Sequence, residues 1–276
     1  MENVISVDLE DWYHLVHLRD YAKNKTPQIQ YSIQPILKLF KKYNTTTTFF
    51  VLGEIAEKNP EVIELINKDG HEIASHGYSH KPLWEISKEE FIEELEKTKS
   101  IVTKISKEKI LGYRAPYFSI SKERSWAIES LKEMNYKYDS SIFPLKIGSW
   151  YGDSSAPLNP YNPLNSDILK NNHDENFKEF PLTVFDKNEI RFPLAGGIYL
   201  RTYPFLIFKT LLKQVKKQGR SLFLFFHPWE THKNLIKLDV PFKNKFIVYY
   251  GIKGMLKKIE HLLKTYKFSS FRENLD

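Results

Sequence analysis

The stretch TTTTFFVLGEIAEKNPEVIELINKDGHEIAS, residues 45–75, contains two predicted strands with a predicted helix between them. Residues 45–53 are β-branched and aromatic, which is typical of a buried strand, and residues 71–75 form a second short strand. Residues 59–70 have a proline in their first turn and end in a glycine, as short helices do. A strand, a helix and a strand in this order predict two parallel strands joined by a helical crossover.

The same alternation continues on both sides of this unit. Further strands are predicted at residues 3–9, 109–116, 136–141 and 221–226, and further helices at 32–44, 87–106, 121–135, 203–219 and about 249–265. This order predicts an α/β fold, either a barrel or a doubly wound sheet, in a single domain spanning residues 1–276. Residues 143–180 are rich in Pro, Asn, Gly and Ser, and we expect a loop-rich insertion there.

The composition limits the kinds of partner and cofactor. The 276 residues carry a formal charge of +7, spread over amphipathic helices without a run of five or six like charges. We therefore expect no nucleic-acid partner, whereas peripheral contact with anionic lipid or an anionic glycan precursor stays open. Because the chain has no cysteine, any metal must be bound by His, Asp or Glu.

The N-terminal residues lack the basic and apolar regions of a signal peptide, and no run of 18 apolar residues occurs. We therefore expect no transmembrane segment. The expected location is the cytoplasm, with a place at the inner face of the membrane left open.

Polar residues occupy the C-terminal ends of five predicted strands, where parallel α/β folds place their functional face. These residues are Asp8, Glu10 and Asp11, then His76 and His80, then Arg114 with Pro116 and Tyr117, then Asp139, and finally His227 with Trp229 and Glu230. Buried ionisable groups need partners, and five such ends on one rim predict a common site.

His76 and His80 of SHGYSH, residues 75–80, are four positions apart. On a helical turn this spacing puts both imidazoles on one face, which is a common arrangement for metal ligands. Two surface histidines are the alternative for the motif taken alone. Asp8 and Glu10 alternate along a strand and can point the same way, so that one binds the metal and the other acts as a base. Asp11 is a rival ligand.

Two more strand ends supply groups for proton chemistry. Arg114 has a plausible partner in one of the carboxylates, because a nearby cation keeps a carboxylate ionised; a structural salt bridge is the alternative. The ordinary pKa of a histidine lies near neutral pH, so His227 is a candidate for proton transfer; a satisfied histidine at a strand end is the alternative. The other histidines are interpreted as surface or structural residues: His14, His17, His71, His173, His232 and His261.

The chain resembles the polysaccharide deacetylases, the NodB-homology group of carbohydrate esterase family four. The matching motifs, in the family's order, are SVDLED (6–11), SHGYSH (75–80), YRAPYF (113–118), YDSS (138–141) and FFHPWE (225–230). The first and last look most like a bacterial branch associated with exopolysaccharide and surface-glycan gene clusters. The resemblance implies a distorted (β/α)7 barrel. The common first motif has two adjacent aspartates, whereas here Asp8 is followed by Leu9, so the carboxylate ligand is Glu10 or Asp11.

The resemblance also implies a reaction and its groups. A divalent ion on His76, His80 and a carboxylate activates water, zinc being the default and cobalt, nickel or iron the alternatives. The resemblance implies that Asp8, oriented by Arg114, is the base and that His227 is the acid. It implies that Asp139 supports the site or contacts the substrate and that a backbone N–H near Tyr117 stabilises the oxyanion. The residues implied to lie beside the sugar are Tyr117, Pro116, Trp150, Tyr151 and Trp229. The implied products are acetate and a free amino sugar.

Two other functions remain open from the sequence. A related amidohydrolase would open a small cyclic amide or ureide in a closed pocket. A catalytically inactive glycan-binding module would bind sugar without turnover. The implied partner of the favoured function is an N-acetylated glycan or its precursor, such as an exopolysaccharide, and the oligomeric state is left open.

Overall fold

We describe the fold from a computed structural model, which covers residues 1–148, 151–172, 176–188 and 190–275. The strands are β1 (Val4–Leu9), β2 (Thr48–Val51), β3 (Glu72–Ser75), β4 (Gly112–Tyr113), β5 (Tyr138–Asp139), β6 (Pro163–Leu164), β7 (Asp167–Asn171), β8 (Lys178–Glu179), β9 (Val184–Lys187), β10 (Ile190–Pro193) and β11 (Phe223–Phe226). The helices are α1 (Val16–Arg19), α2 (Ile29–Lys42), α3 (Gly53–Lys58), α4 (Pro60–Lys68), α5 (Lys88–Ser106), α6 (Trp126–Glu133), α7 (Gly197–Thr202), α8 (Phe205–Lys217), α9 (Phe242–Tyr249) and α10 (Ile252–Thr265).

Seven strands form one curled parallel sheet in the order β11-β1-β2-β3-β4-β5-β8. Thr183, four residues after β8, spans the gap between the two edge strands. Its backbone N–H donates to Phe223 O at 3.1 Å, and its hydroxyl accepts from Phe223 N–H at 2.7 Å. The predicted seven-stranded, distorted (β/α) barrel is thus confirmed, and two antiparallel hairpins, β6–β7 and β9–β10, are added to it.

The residues of β1 alternate between two environments, as the pleat of a strand requires. Ile5, Val7 and Leu9 pack into the main core under the helices. Val4, at the start of the strand, instead joins an inner cluster that fills the bottom of the barrel. The rest of that cluster is Phe50, Ala74, Tyr138, Phe180, Phe223 and Phe271. The inward positions of β1 therefore run from an apolar floor at Val4 to a polar rim at Asp8.

The floor of the barrel is closed by a segment near the C-terminus. Phe271 is fully buried, and its backbone N–H donates to Thr48 Oγ1 at 2.9 Å. The next residue, Arg272, donates its backbone N–H to the buried Glu72 carboxylate, also at 2.9 Å. Glu72 accepts further hydrogen bonds from the hydroxyls of Thr48 and Tyr138. Burial nevertheless raises the pKa of Glu72.

The structure differs from the predicted elements in several places. Gly53, predicted to end a strand, begins α3, because its N–H donates to Gly77 O at 2.9 Å and a β-carbon there would meet Thr98 at 2.4 Å. The predicted insertion at 143–180 ends in β8, which supplies the seventh strand of the sheet. The helix α9 was not predicted, since its exposed apolar side chains give it no clear amphipathic pattern. Within the described residues, no helix is both long and apolar enough to cross a membrane.

Candidate active site

Three buried side chains meet at the C-terminal ends of β1 and β3. Glu10 Oε1 lies 2.9 Å from His80 Nε2 and 3.2 Å from His76 Nε2. Ligands held about 2.0–2.1 Å from a tetrahedral zinc ion lie roughly 3.3 Å apart, so these spacings suit one divalent ion. Two imidazoles and one carboxylate also leave a coordination position free, as a catalytic ion requires. The donor set therefore fits the predicted metal.

The orientation of His76 is fixed by the backbone of the fourth strand end. His76 Nδ1 lies 2.7 Å from the carbonyl oxygen of Arg114, which can only accept a hydrogen bond. Nδ1 therefore carries the proton, and the lone pair of Nε2 is directed toward Glu10. Metal-binding histidines are commonly oriented in this way by an acceptor on their second nitrogen.

The two histidines do not share a helical turn, contrary to our prediction. Residues 76–80 form a loop in which Gly77 has φ 75° and His80 has φ 61°. Glu94, on α5, holds this loop: its carboxylate accepts from the backbone N–H of Tyr78 at 3.0 Å and from the hydroxyl of Ser79. The left-handed backbone of Gly77 and His80 and the half-buried Glu94 carboxylate, and not helical geometry, are the reason why the imidazoles converge.

The two candidate carboxylate ligands occupy different places. Glu10 lies between the histidines, and burial opposes its charge, but His80 and His227 outweigh burial and hold the pKa of Glu10 well below its usual range. Asp11 accepts backbone N–H groups instead, from Trp12 at 2.8 Å and from Gln28 and Ile29 at 2.7 and 3.0 Å. Burial raises the pKa of Asp11 against these bonds. The structure thus places Glu10, and not Asp11, with the histidines.

Asp8 and Arg114 form a buried ion pair inside the barrel. Arg114 Nη1 lies 2.6 Å from Asp8 Oδ1 and donates to Ser6 Oγ at 2.8 Å. Its other nitrogens donate to the backbone oxygen and the hydroxyl of Ser140, both at 2.9 Å. The guanidinium also lies 4.0 Å from the centre of the Phe50 ring. Asp8 is therefore held as an oriented carboxylate beside Glu10, within 4.8 Å of ligand atoms on Glu10 and His227.

His227 completes the ring of groups around Glu10, with its Nε2 3.5 Å from Glu10 Oε1. Glu230 lies on its other side: Oε2 accepts the backbone N–H of His227 at 2.9 Å and lies 3.1 Å from Nδ1. Burial opposes charge on His227, but Glu10 and Glu230 outweigh it and raise the pKa of the imidazole well above its usual value. This arrangement favours a protonated His227.

Glu230 is in turn held by Arg201 of α7. Arg201 Nε donates to Glu230 Oε1 at 2.9 Å, and both side chains are almost fully buried. A β-carbon at Gly197 would lie 1.8 Å from Glu230, so this glycine makes room for the carboxylate. The remaining Arg201 nitrogens donate to backbone oxygens of residues 247, 248 and 250. Arg201 therefore connects His227, through Glu230, to the end of α9.

Asp139 lies behind the site, fully buried beside Glu179 of the adjacent strand β8. Burial raises the pKa of Asp139, and burial together with Asp139 raises that of Glu179 well above its usual value, so Glu179 is the protonated partner. Asp139 Oδ1 accepts the hydroxyl proton of Ser141 at 2.6 Å, and Ser141 Oγ accepts the N–H of Ala115 at 2.8 Å. Asp139 thus helps to position the backbone at Ala115, the residue after Arg114, through the hydroxyl of Ser141.

His14, which we interpreted as surface or structural, is buried beside His80, one of the candidate metal ligands. Its ring centre lies 5.9 Å from that of His80. Nδ1 accepts the backbone N–H of Asp11 at 3.0 Å, and Nε2 has no hydrogen-bond partner among the described residues. Burial, and then the neighbouring His80, lower the pKa of His14 to about 4. Its role in the described contacts is structural, and His173 lies outside the described residues.

Tyr117 lies between His80, a candidate metal ligand, and an open cleft. Its ring centre is 4.7 Å from that of His80, and its hydroxyl donates to His14 O at 3.1 Å. Tyr117 lines a cleft of about 500 Å³, and a second cleft of about 550 Å³ shares Trp84 and Arg124 with the first. Because the two clefts share these lining residues, we refer to them together as the groove, and its second part extends to Tyr151. Tyr117 is the lining residue that contacts His80 of the candidate site.

The other predicted sugar contacts are placed differently. Pro116 is buried at the start of the turn that carries Tyr117. Trp229 is only 2% exposed and stacks on His227 with ring centres 5.4 Å apart, so it packs against the imidazole instead of lining the groove. Trp150 lies outside the described residues. Trp84, which sequence analysis missed, is 42% exposed and lies 6.3 Å from Tyr117 between ring centres.

The other residues missed by sequence analysis are Glu94, Glu179, Arg201 and Glu230 in its supporting role. Glu230 had a local signal, because it stands three residues after His227, at capping-box spacing. Arg201 and Glu179 reach the site from residues far along the chain, and no local pattern marks them.

Two family models match the chain. Residues 26–138 match the model described as polysaccharide deacetylase, and residues 140–276 match one described as a domain of unknown function, DUF3473. The boundary falls just after β5, yet β5 pairs with β8 across it. Strands from both matched regions therefore build the same barrel.

Curated relatives are similar to part of the chain. It is 36% identical over 95 residues to a peptidoglycan-N-acetylglucosamine deacetylase of Bacillus cereus, covering 34% of this chain and 34% of that protein. It is 33% identical over 130 residues to a peptidoglycan deacetylase of Helicobacter pylori, covering 46% of this chain and 43% of that protein. The chain thus aligns with less than half the length of either relative.

Solved structures share the fold across the whole chain. A structure assigned as a polysaccharide deacetylase from Mycobacterium smegmatis gives a TM-score of 0.66 at 18% identity, covering 99% of this chain and 87% of that chain. A CE4 family pseudoenzyme from Bacillus anthracis gives 0.53 at 14% identity, covering 100% of this chain and 66% of that chain. Residues 26–138, with the ordered motifs they contain, therefore belong to the polysaccharide deacetylase family, the NodB-homology group of carbohydrate esterase family four, and the whole chain shares the fold of that group.

Proposed function

We propose that the protein is a metal-dependent N-deacetylase that hydrolyses the acetamide of an N-acetylated sugar in a surface glycan or its precursor. One observation carries the proposal: a single oxygen, Glu10 Oε1, lies within 3.5 Å of three imidazoles, those of His76, His80 and His227. The imidazoles of His76 and His80 suit a metal ion, whereas that of His227 contacts a second carboxylate, Glu230. This arrangement suits proton transfer and not a closed structural metal site.

A divalent ion held by Glu10, His76 and His80 would polarise the acetamide carbonyl and activate a water molecule. Asp8, oriented by Arg114 at 2.6 Å, takes a proton from the attacking water. His227, which Glu230 keeps protonated and oriented, gives a proton to the sugar nitrogen as the carbon–nitrogen bond breaks. Water supplies the oxygen of the carboxylic acid, so the products are acetate and the free amino sugar.

The groove beside Tyr117 supports a glycan as the substrate. It is open and lined by aromatic and charged side chains, whereas a small cyclic amide would need an enclosed pocket. Trp84 offers an exposed ring on which a sugar can stack, and Tyr117 lies between that ring and His80. The relatives named above as peptidoglycan deacetylases support the same substrate class.

We also propose the identity of the ion, the substrate and the location. We assign zinc as the ion, because two imidazoles and one carboxylate are ligands that zinc accepts, with cobalt, nickel or iron as substitutes. We assign an exopolysaccharide or its precursor as the substrate and the cytoplasm, near the inner face of the membrane, as the location. We also propose that residues 1–276 act as one catalytic domain. Activity only on exported, polymerised glycan would contradict the assigned substrate and location.

Acetate release tests the proposal. Metal-stripped protein should release no acetate from N-acetylglucosamine oligomers or from an N-acetylated exopolysaccharide, and restored zinc or cobalt should start the release. His76→Ala should lose bound metal and activity together, whereas His261→Ala on α10 should keep both. An active His76→Ala variant would refute the site. Sugar binding without turnover at saturating metal would refute the reaction.

A further inference from the structure

Large apolar side chains are exposed on the helices α8 and α9. Phe242 is 84% exposed and Leu206 is 73% exposed, the two highest values among the large apolar side chains of the described residues. With them lie Ile207, Phe246 and Tyr250, which are exposed by 45–54%. We refer to these five residues as the docking face: Leu206, Ile207, Phe242, Phe246 and Tyr250.

The helix α9 presents its apolar side chains outward. Phe242 and Phe246 are four residues apart, so they lie along one side of the helix, and Tyr250 follows at its C-terminal cap. The rings of Phe246 and Tyr250 stack at 4.8 Å between centres. Within the helix, Val248 is buried against the protein. An exposed stripe of three aromatic rings is unusual for a surface that only meets water.

Hydrogen bonds of Arg201 and Lys258 connect α9 and α10 to the segment 201–203, just before α8. Arg201, at the end of α7, donates to backbone oxygens of Ile247 and Val248 at 2.9 and 3.2 Å. Lys258 donates to the oxygens of Arg201 and Tyr203, just before α8 begins. The start of α8 and the end of α9 are therefore fixed against the same short segment.

Positive charge is concentrated in this part of the chain. Residues 201–260 contain 13 of the 41 Lys and Arg residues but only three of the 34 Asp and Glu residues. Of those three acids, Glu230 is buried and Asp239 is paired with Lys245 at 2.8 Å. Residues 1–200 contain 25 basic and 29 acidic residues, so the excess charge of the chain comes from the segment that bears the docking face.

We propose that the docking face binds the surface of an anionic lipid bilayer. Exposed aromatic and aliphatic side chains enter the boundary between headgroups and acyl chains, and flanking lysines bind anionic headgroups. Lys243, Lys253 and Lys257 are exposed on α9 and α10 and supply such charges. These lysines favour a lipid surface, because a protein partner or a second copy that bound only through apolar contacts would not need them.

Docking would also place the candidate active site close to the lipid surface. Arg201 binds the backbone of α9 with two nitrogens and Glu230 with a third, and Glu230 contacts His227. The route from the docking face to His227 therefore passes through only two side chains. The membrane proposal itself rests on exposure and charge and is independent of the proposed reaction.

Vesicle co-sedimentation tests the docking face. The protein should sediment with vesicles of phosphatidylcholine and phosphatidylglycerol at 70:30, and about tenfold less with pure phosphatidylcholine or at high salt. Leu206→Ser with Phe242→Ser should weaken binding to anionic vesicles tenfold or more. The matched control, Tyr31→Ser with Leu65→Ser, removes two exposed apolar side chains from α2 and α4 and should bind as the unchanged protein does.

A second variant separates charge from apolar contact. Lys243→Glu with Lys253→Glu leaves the docking face intact and should also weaken binding to anionic vesicles tenfold or more. Absence of binding by the unchanged protein would overturn the proposal. So would binding by both variants, Leu206→Ser with Phe242→Ser and Lys243→Glu with Lys253→Glu, that equals binding by the unchanged protein. A dimer in sedimentation velocity without lipid, lost in Leu206→Ser with Phe242→Ser, would assign the face to a second copy and overturn the membrane partner.

Discussion

Glu230 holds His227 at two points, accepting its backbone N–H at 2.9 Å and lying 3.1 Å from Nδ1 of its ring. The carboxylate fixes the ring and requires the proton on Nδ1, so that Nε2 faces Glu10. Because Arg201 holds the other oxygen at 2.9 Å, the carboxylate has little freedom to turn.

We therefore expect Glu230→Gln to lower kcat for deacetylation about 100-fold, with KM and zinc affinity almost unchanged. An amide in place of the carboxylate can offer an N–H to Nδ1, which favours the wrong tautomer. Steady-state kinetics combined with metal titration measures both effects. A fall in zinc affinity equal to the fall in kcat would show that Glu230 supports the metal ligands and not His227.

Glu10→Gln and Asp11→Asn should have opposite effects. Glu10→Gln removes the carboxylate that lies between two imidazoles and should abolish stoichiometric zinc binding. Asp11→Asn should keep zinc but lower the free energy of unfolding by about 1–3 kcal/mol, because three backbone N–H groups lose an ionised acceptor. Elemental analysis and denaturant unfolding measure the two effects. Loss of zinc only in Asp11→Asn would reverse the ligand assignment.

Arg114→Met should lower the free energy of unfolding by about 3–5 kcal/mol, because it leaves the buried Asp8 carboxylate without its cation. Denaturant unfolding at neutral pH measures this change. Lys245→Met is the matched control, since it breaks an exposed pair with Asp239 at 2.8 Å and should have no measurable effect. Equal stability of the two variants would contradict the ion pair described for the barrel interior.

His71 makes stability depend on pH. It is 2% exposed between the rings of Phe40 and Phe49, and neither of its nitrogens has a hydrogen-bond partner among the described residues. Burial lowers its pKa to about 4, below the ordinary value of about 6.5 in an unfolded chain. The unfolded state therefore binds the extra proton first, and stability falls as pH decreases from 6.5 to 4, by up to roughly 3 kcal/mol.

His71→Leu should remove that part of the pH dependence, whereas His261→Leu should retain it. Denaturant unfolding of the three proteins at pH 7, 5.5 and 4.5 measures the difference. Identical slopes for the unchanged protein and His71→Leu would show that the ring is hydrated or paired in solution.

Trp84→Ala should raise KM for N-acetylated oligosaccharides about tenfold, with little change in kcat or zinc binding, because the ring lies in the groove and away from the metal ligands. Tyr31→Ala, which removes a ring that is 66% exposed on α2, is the control and should leave kinetics unchanged. An unchanged KM on oligosaccharides of every length would exclude Trp84 from the sugar path.

The parallel barrel was predictable because its signals are local. Residues 45–75 already contain a strand, a helix and a strand whose apolar patterns need no distant contact to be interpreted. The strand β8 was not predictable, since it is two residues long and belongs to the sheet only through pairing with β5. Short strands carry too few residues to show a period.

The candidate site shows the same division. The strand-end positions of Asp8, His76 and Arg114 follow from local patterns, and the structure brings them to one rim. The choice between Glu10 and Asp11 depended on how the chain turns after β1, which spacing does not encode. The helical turn predicted for His76 and His80 was wrong because Glu94, fourteen residues after His80, determines the shape of their loop.

The Phe271 side chain that closes the floor of the barrel has a consequence for biosynthesis. During synthesis, Phe50 and Tyr138 leave the ribosome long before Phe271 does. Until then, the apolar side chains that Phe271 covers in the barrel stay exposed to solvent. The edge of β1 that pairs with β11 also waits for more than 200 residues of later chain. The barrel therefore cannot be completed during synthesis of its first half, and we expect nascent chains of this protein to depend on chaperones until residue 271 has left the ribosome.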